Sequence, residues 1–176
     1  CPKDLNRSDY IGGFAVTTGI GVDKICKKFE ENNDDYSSIM IKAIADRLAE
    51  ALTEYMHERV RKELWGYDEE EDFTNEELIK EKYKGIRTAP GYPACPDHSE
   101  KIKLFELLEI SKKSTIRLTE NFAMIPAASV SGWYFSHPES TYFGVGKIGE
   151  DQLREISESR KEDLSLTKKY LSPNLE

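Results

Sequence analysis

The stretch GIRTAPGYPACPDH, residues 85–98, concentrates the residue types that could do chemistry. It carries three prolines and two glycines in 14 residues, a density that neither helix nor regular strand tolerates. Long irregular loops are uncommon unless they have a function. Arg87 offers a planar fork of donors suited to a carboxylate or phosphate. Gly91 would let a ligand approach the main chain, and Tyr92 adds a flat face and a hydroxyl. The prolines would hold backbone N–H and C=O groups ready for a ligand. The same spacing also suits a rigid surface crossover with an ordinary buried tyrosine.

Other candidates are weaker. Cys95 and His98 form a CxxH pair, but two further zinc ligands at fixed spacing are absent, and packing explains the pair better. Glu50 lies among Asp46, Glu54 and His57 on a helix face that is solvated by default. Glu81 is one acid in a charged helix, and His137 beside Pro138 reads as a turn residue. No nucleophile elbow, Ser–His–Asp order, HExxH helix, Walker loop or strand followed by GxGxxG is visible. With so little acid/base machinery, the pattern alone favours a binding module.

The elements that must position these residues read as α+β. Residues 10–20 alternate as a strand, with Tyr10, Phe14, Val16, Thr18 and Ile20 on one parity. Val22, Ile25, Cys26 and Phe29 follow helical spacing until Asn32 and Asn33 break it. A long helix starts near Asp35 or Ser37, runs to about Leu64 and stops at Gly66. Its apolar stripe is Ile41, Ile44, Ala45, Leu48, Leu52, Tyr55 and Met56; Asp46, Glu50, Glu54, His57 and Arg61 lie roughly opposite. An acidic loop spans 67–73, and Thr74-Asn75-Glu76-Glu77 has capping-box form, opening a helix toward Tyr83. Ser99 caps a helix carrying Ile102, Phe105 and Leu108. Residues 129–135 and 141–148 read as strands of an antiparallel hairpin turned by His137-Pro138-Glu139-Ser140. Helices at 150–160 and 163–171 finish the chain. The expected architecture is an antiparallel sheet with an irregular ligand-binding loop and several surrounding helices.

Composition bounds the function. The 176 residues suit one domain, and 38% hydrophobic residues are enough for a core. A mean hydropathy of -0.63 and no apolar run near the length of a membrane span predict a soluble chain without a membrane partner. Thirty-three acidic against 25 basic residues, net -8, disfavour nucleic acid. Cys1, Cys26 and Cys95 are odd in number and imply no disulfide framework, so a reducing cytoplasm is expected. Starting at Cys1, the chain reads as a piece of something longer.

The strings DYIGGFAVTTGIG, IKAIADRLAEALTEYMHERVRKELWGY, GIRTAPGYPACPDH, LTENFAMIPAASVSGWYFSHPES and YFGVGKIGEDQ closely resemble the activation domain of cobalamin-dependent methionine synthase. The likeness runs through nearly all the chain, and RxxxGYP and SGWYFSHP are specific. It implies that residues 1–176 are the C-terminal part of such a domain, whose missing N-terminal portion carries an acidic ligand contact. In that family the domain binds S-adenosylmethionine and docks on the cobalamin domain. It offers its methyl group when cobalamin has oxidised from cob(I) to cob(II), while flavodoxin or an equivalent reductase supplies one electron. The sulfonium is already a good leaving group and cob(I) a strong nucleophile, so the protein's part is positioning.

The resemblance implies that Arg87 pairs with the ligand's carboxylate and that Ala89, Gly91 and Tyr92 meet it largely through main chain. Glu50 and Glu81 would accept from its amine and hydroxyls, and Tyr142 would lie beside the sulfonium. Residues 124–137, with the small Ala127, Ala128 and Ser129, would face cobalamin, although a tightly packed core strand explains them equally. A stand-alone docking or reactivation module without a complete site is the alternative. A general methyltransferase would need an acceptor site and a Gly-rich strand-end loop, and neither is found.

Overall fold

The computed structural model describes Leu5 and residues 7–175; Cys1 lies outside them. The expected α+β class holds. A three-stranded antiparallel sheet is built from β1 (Gly12–Thr17), β2 (Ile86–Thr88) and β5 (Ser129–Phe135) in the order β1-β5-β2. A second, two-stranded sheet pairs β3 (Arg117–Leu118) with β4 (Met124–Ile125). The helices are α1 (Val22–Glu30), α2 (Asp35–Arg59), α3 (Asn75–Ile79), α4 (Glu100–Leu108), α5 (Ile110–Lys113), α6 (Glu150–Arg160) and α7 (Leu164–Tyr170).

The register sorts the main sheet into two faces. Phe14 opposes Gly132, Val16 opposes Val130, and Arg87 opposes Tyr134; directly opposed residues share a face. On that face Phe14, Val60 and Tyr134 form a cluster with Val16, Trp65, Tyr67 and Val130 against α2. A Cβ on Gly132 would come within 2.4 Å of the Thr88 carbonyl, so the centre of the sheet requires glycine there. On the other face Ala15 and Trp133 pack on Leu104, Phe105, Ile110 and Ile116. A small separate cluster of Ile148, Leu153 and Leu171 joins α6 to its surroundings.

Local signals explain the helices. The N-cap of α2 is Asp34, one residue before the expected start, and its carboxylate accepts from the Ser37 N–H. Residues 60–64 continue α2 as a π-turn, and Gly66 follows at φ 69°. Thr74 and Glu77 form the expected capping box, but α3 stops at Ile79, well before Tyr83.

Three expectations are corrected. Residues 141–148 form no strand: both edges of β5 are already taken by β1 and β2, leaving no edge for a hairpin partner. The 85–98 stretch is not wholly irregular, because its first residues form β2. The burial of α2 is also only partly as expected: Ala45 is buried and Asp46 and Glu50 are exposed, but most of the apolar stripe is not enclosed and His57 and Arg61 are. Its buried residues are Ser38, Ala45, Ala49, Thr53 and His57, while Ile44, Leu48 and Tyr55 are 47%, 54% and 55% exposed. Small side chains every fourth residue let the sheet approach closely, and His57 and Arg61 continue that seam inward.

Candidate functional site

The 85–98 loop is held by its own main chain and by α6. The Gly91 N–H donates to the Cys95 carbonyl (2.7 Å), the Tyr92 N–H to that of Ala89 (3.1 Å), and the Cys95 N–H to that of Tyr92 (2.9 Å). Asp97 accepts from the Ser99 N–H (2.8 Å) and pairs with Arg160, which also reaches Glu100 at 2.5 Å. Burial acts to raise the Asp97 carboxyl, but Arg160 and the Ser99 N–H outweigh it and hold it below its ordinary range.

Gly91 has a purely local reason to be glycine. Its φ is 101°, and a Cβ would fall 2.2 Å from the His98 ring, so His98 fills the space expected for a ligand. The CxxH pair is likewise absorbed by packing: His98 Nδ1 lies 2.8 Å from the Lys101 ammonium. Burial lowers both of those groups and raises the Cys95 thiol. Among the described residues no group of three or more His, Cys, Asp or Glu could hold a metal ion.

Between β2, α2 and this loop lies a cleft of about 280 Å³ lined by Glu50, Thr53, Glu81, Arg87, Thr88, Ala89, Tyr92 and Tyr142, with Phe14, Val130 and Phe143 among its apolar walls. Of the seven residues expected around S-adenosylmethionine, the cleft gathers all but Gly91. They arrive from α2, the turn at Glu81, β2, the proline-rich loop and the 136–149 segment. The Thr88 hydroxyl is buried there without a hydrogen-bond partner.

Arg87 is the best-anchored group in the cleft. Its Nη2 donates to Glu54 Oε2 at 2.5 Å. Its Nη1 donates to the Tyr83 hydroxyl at 2.9 Å and meets His57 Nδ1 at 3.2 Å. Burial works against its charge, but Tyr142, Tyr83 and Glu54 together more than offset this and raise its pKa. The Arg87 backbone N–H donates to the Tyr142 hydroxyl (3.0 Å), which lies 3.1 Å from that of Tyr83. Tyr142 is thus fixed although its segment is neither helix nor strand.

Glu54, His57 and Tyr83 are the contributors that sequence reading missed. His57, expected to be solvated, is 0% exposed; its ring stacks on Tyr134 (5.2 Å, 19°) and meets Tyr83 edge-on. Burial, then the charges of Arg61 and Arg87, push its pKa down to about 2, so it is neutral. Beneath it Arg61, also 0% exposed, is paired with Glu71 and lies 4.3 Å over the Tyr83 ring. The available signal was the spacing Glu50, Glu54, His57, Arg61, which puts all four on one helix face.

The residues expected to face cobalamin lie elsewhere. Ala127 and Ala128 line a second, smaller cleft of about 240 Å³ with Gly19, Asp23, Lys42 and Asp46. Ala127 is exposed, whereas Ala128 and Ser129 are buried. The Ser129 hydroxyl lies 2.6 Å from the Pro126 carbonyl and 2.8 Å from Thr17 Oγ1.

Two comparisons with known proteins bear on this geometry. A family model described as vitamin B12 dependent methionine synthase, activation domain, matches residues 1–162. A crystal structure of the MetH reactivation domain bound to AdoHcy superposes with a TM-score of 0.95 and 54% sequence identity, over 99% of this chain and 54% of that one. The chain therefore spans about half the length of the structure it matches. No helix among the described residues is long and apolar enough to cross a membrane.

Proposed function

The chain belongs to the vitamin B12 dependent methionine synthase activation domain family, and from that premise we propose that it binds S-adenosylmethionine in the Arg87 cleft. It would present the ligand's methyl group to cobalamin held by a neighbouring domain, reactivating methionine synthase in the cytoplasm. The likeness to a reactivation domain bound to AdoHcy supports this. The single observation that carries it is the convergence, in one cleft, of acids, aromatic rings and an arginine with donors to spare.

Each side chain has a chemical task in this reading. A guanidinium has five N–H donors; three of Arg87's have partners, which leaves one on Nε and one on Nη2 for the ligand carboxylate. Glu50 and Glu81 supply acceptors for the amine and hydroxyls. Tyr142 sets a π face beside the sulfonium, while Ala89 and Tyr92 contribute main chain along one wall and Gly91, packed against His98, forms the turn between them. Ala127, which is exposed, would face the cobalamin domain, with the buried Ala128 and Ser129 following it into the sheet. Reduced by one electron from flavodoxin or an equivalent reductase, cobalamin supplies the nucleophile. The chain's own residues bind and orient the methyl donor, which is a positioning task. Residues 1–176 act as one domain, the C-terminal part of the larger activation domain of a 5-methyltetrahydrofolate–homocysteine methyltransferase, and the fragment has no catalysis of its own.

Calorimetric titration with S-adenosylmethionine tests the reading. Arg87→Ala is expected to weaken binding by about 100-fold, the scale of a lost charge-assisted pair, with an unchanged circular dichroism spectrum. Equal affinity in the variant, or no binding by a folded wild type, would overturn it.

A further inference from the structure

We infer that His57 is a positioning residue for the ligand's carboxylate, acting through Arg87. The inference rests on the proposed S-adenosylmethionine site and adds a residue that never touches the ligand, since His57 does not line the cleft.

The argument begins with what an arginine can donate. Nothing about a guanidinium by itself decides which of its edges faces a cleft. Here Nη1 sits 2.9 Å from the Tyr83 hydroxyl and 3.2 Å from His57 Nδ1, so both of its N–H groups point into protein. Glu54 takes one N–H of Nη2. The donors left over belong to two neighbouring nitrogens, Nε and Nη2, a pair that suits the two oxygens of a carboxylate.

His57 can hold Nη1 only if its Nδ1 carries a lone pair. Arg87 has no acceptor to offer, so Nδ1 must be bare and the proton must sit on Nε2, which lies 3.3 Å from the Tyr67 hydroxyl. The groups around the ring enforce that state. Arg61 from the π-turn and Arg87 from β2 both oppose a positive imidazole, and Tyr67, Tyr83 and Tyr134 enclose the ring. Stacking on Tyr134 at 5.2 Å fixes the ring plane, and Tyr134 is in turn stacked on Phe14 at 4.7 Å. The orientation of Arg87 is therefore inherited from the central strand of the sheet.

The test compares two ligands on the full-length chain: S-adenosylhomocysteine, which carries the amino-acid carboxylate, and 5′-methylthioadenosine, which lacks it. His57→Leu, which removes the acceptor, should weaken S-adenosylhomocysteine binding about 10-fold or more, the scale of a lost bond to a charged donor. Binding of 5′-methylthioadenosine should change less than about twofold by the same reasoning. His57→Asn places an oxygen near the Nδ1 position and should recover most of the loss. If His57→Leu does not fold, His57→Gln carries the test, because its polar end sits near Nε2 rather than Nδ1 and should give the same selective loss. Equal weakening for both ligands would mean that His57 only packs the cleft, and unchanged binding of both would mean that Arg87 orients itself; either overturns the inference. Failure of the wild type to bind S-adenosylhomocysteine would instead overturn the proposed site, and this inference with it.

Discussion

Two arginines approach the same tyrosine ring and have opposite fates. Arg61 lies 4.3 Å from the centre of the Tyr83 ring and Arg87 lies 5.8 Å from it. Arg61 is 0% exposed and engages both oxygens of a buried Glu71. Arg87 keeps 21% of its side chain exposed and takes one oxygen of Glu54. Arg61 sits on the π-turn beneath the sheet, whereas Arg87 sits on a three-residue edge strand at the mouth of a cleft. A charge closed on its partner inside the protein can only serve the fold. A charge anchored on one side and open on the other is available for a ligand.

The largest expected effect breaks the closed pair. Glu71→Ala strands the Arg61 charge in the interior and should cost about 3–5 kcal/mol of stability, read from urea denaturation. Glu54→Ala exposes Arg87 to water and should cost at most about 1 kcal/mol. Similar losses for the two variants would erase the distinction.

Next is the pH dependence of the floor. The folded pKa of His57 is depressed to about 2, against roughly 6.5 in the unfolded chain. Below pH 6.5 the unfolded state takes up a proton that the folded state refuses, so this contribution is complete above 6.5 and is lost as pH falls. The slope approaches about 1.4 kcal/mol per pH unit, giving roughly 2.3 kcal/mol between pH 6.5 and 4.5. His57→Asn removes the titration, so the wild type should fall more steeply than the variant across that range in matched denaturation curves. Parallel curves would mean that the imidazole protonates in the folded protein and that the floor is wet.

At the mouth, Arg87→Lys keeps the charge but not the fork. An ammonium cannot serve Tyr83, His57, Glu54 and a carboxylate together, so affinity for S-adenosylmethionine should drop about tenfold with little change in stability. Full affinity would reduce Arg87 to a point charge and make its anchoring irrelevant.

What the sequence disclosed follows the same division. The stop after α2 and the starts of α3 and α7 were legible because caps and turns are local: Gly66, Thr74 with Glu77, Asp163. Strand β1 was legible from alternation and β5 beside its turn signal, but the partner of β5 was not. Strand pairing depends on which edges are free, and residues 12–17 and 86–88 claimed both. The buried side of α2 was legible at Ala45 and misled elsewhere, because apolar periodicity assumes that the large oily residues face inward. Here Ala45, Ala49 and Thr53 set the distance to the sheet, and aromatic rings make room for His57. Arg87 and Tyr92 could be suspected from their loop. Glu50, Glu81 and Tyr142 needed the family resemblance, since no spacing rule brings residues 50, 81 and 142 together. Glu54 and His57 escaped both routes because they act on another side chain rather than on the ligand.

The smallest expected effect lies at the rim. The Tyr92 hydroxyl reaches Glu50 Oε1 at 3.4 Å on an exposed surface, a long contact that water can replace. Tyr92→Phe should therefore alter S-adenosylmethionine affinity by less than about threefold, the value of one weak neutral contact, and leave stability unchanged. Glu50→Gln should cost more, because it removes the charge that an ammonium group would seek. If Tyr92→Phe instead cost tenfold, the hydroxyl would be holding Glu50 in place as tightly as Glu54 and His57 hold Arg87. The rim would then be as firmly built as the floor, and binding by this cleft could no longer be assigned to one anchored cation surrounded by adaptable acceptors.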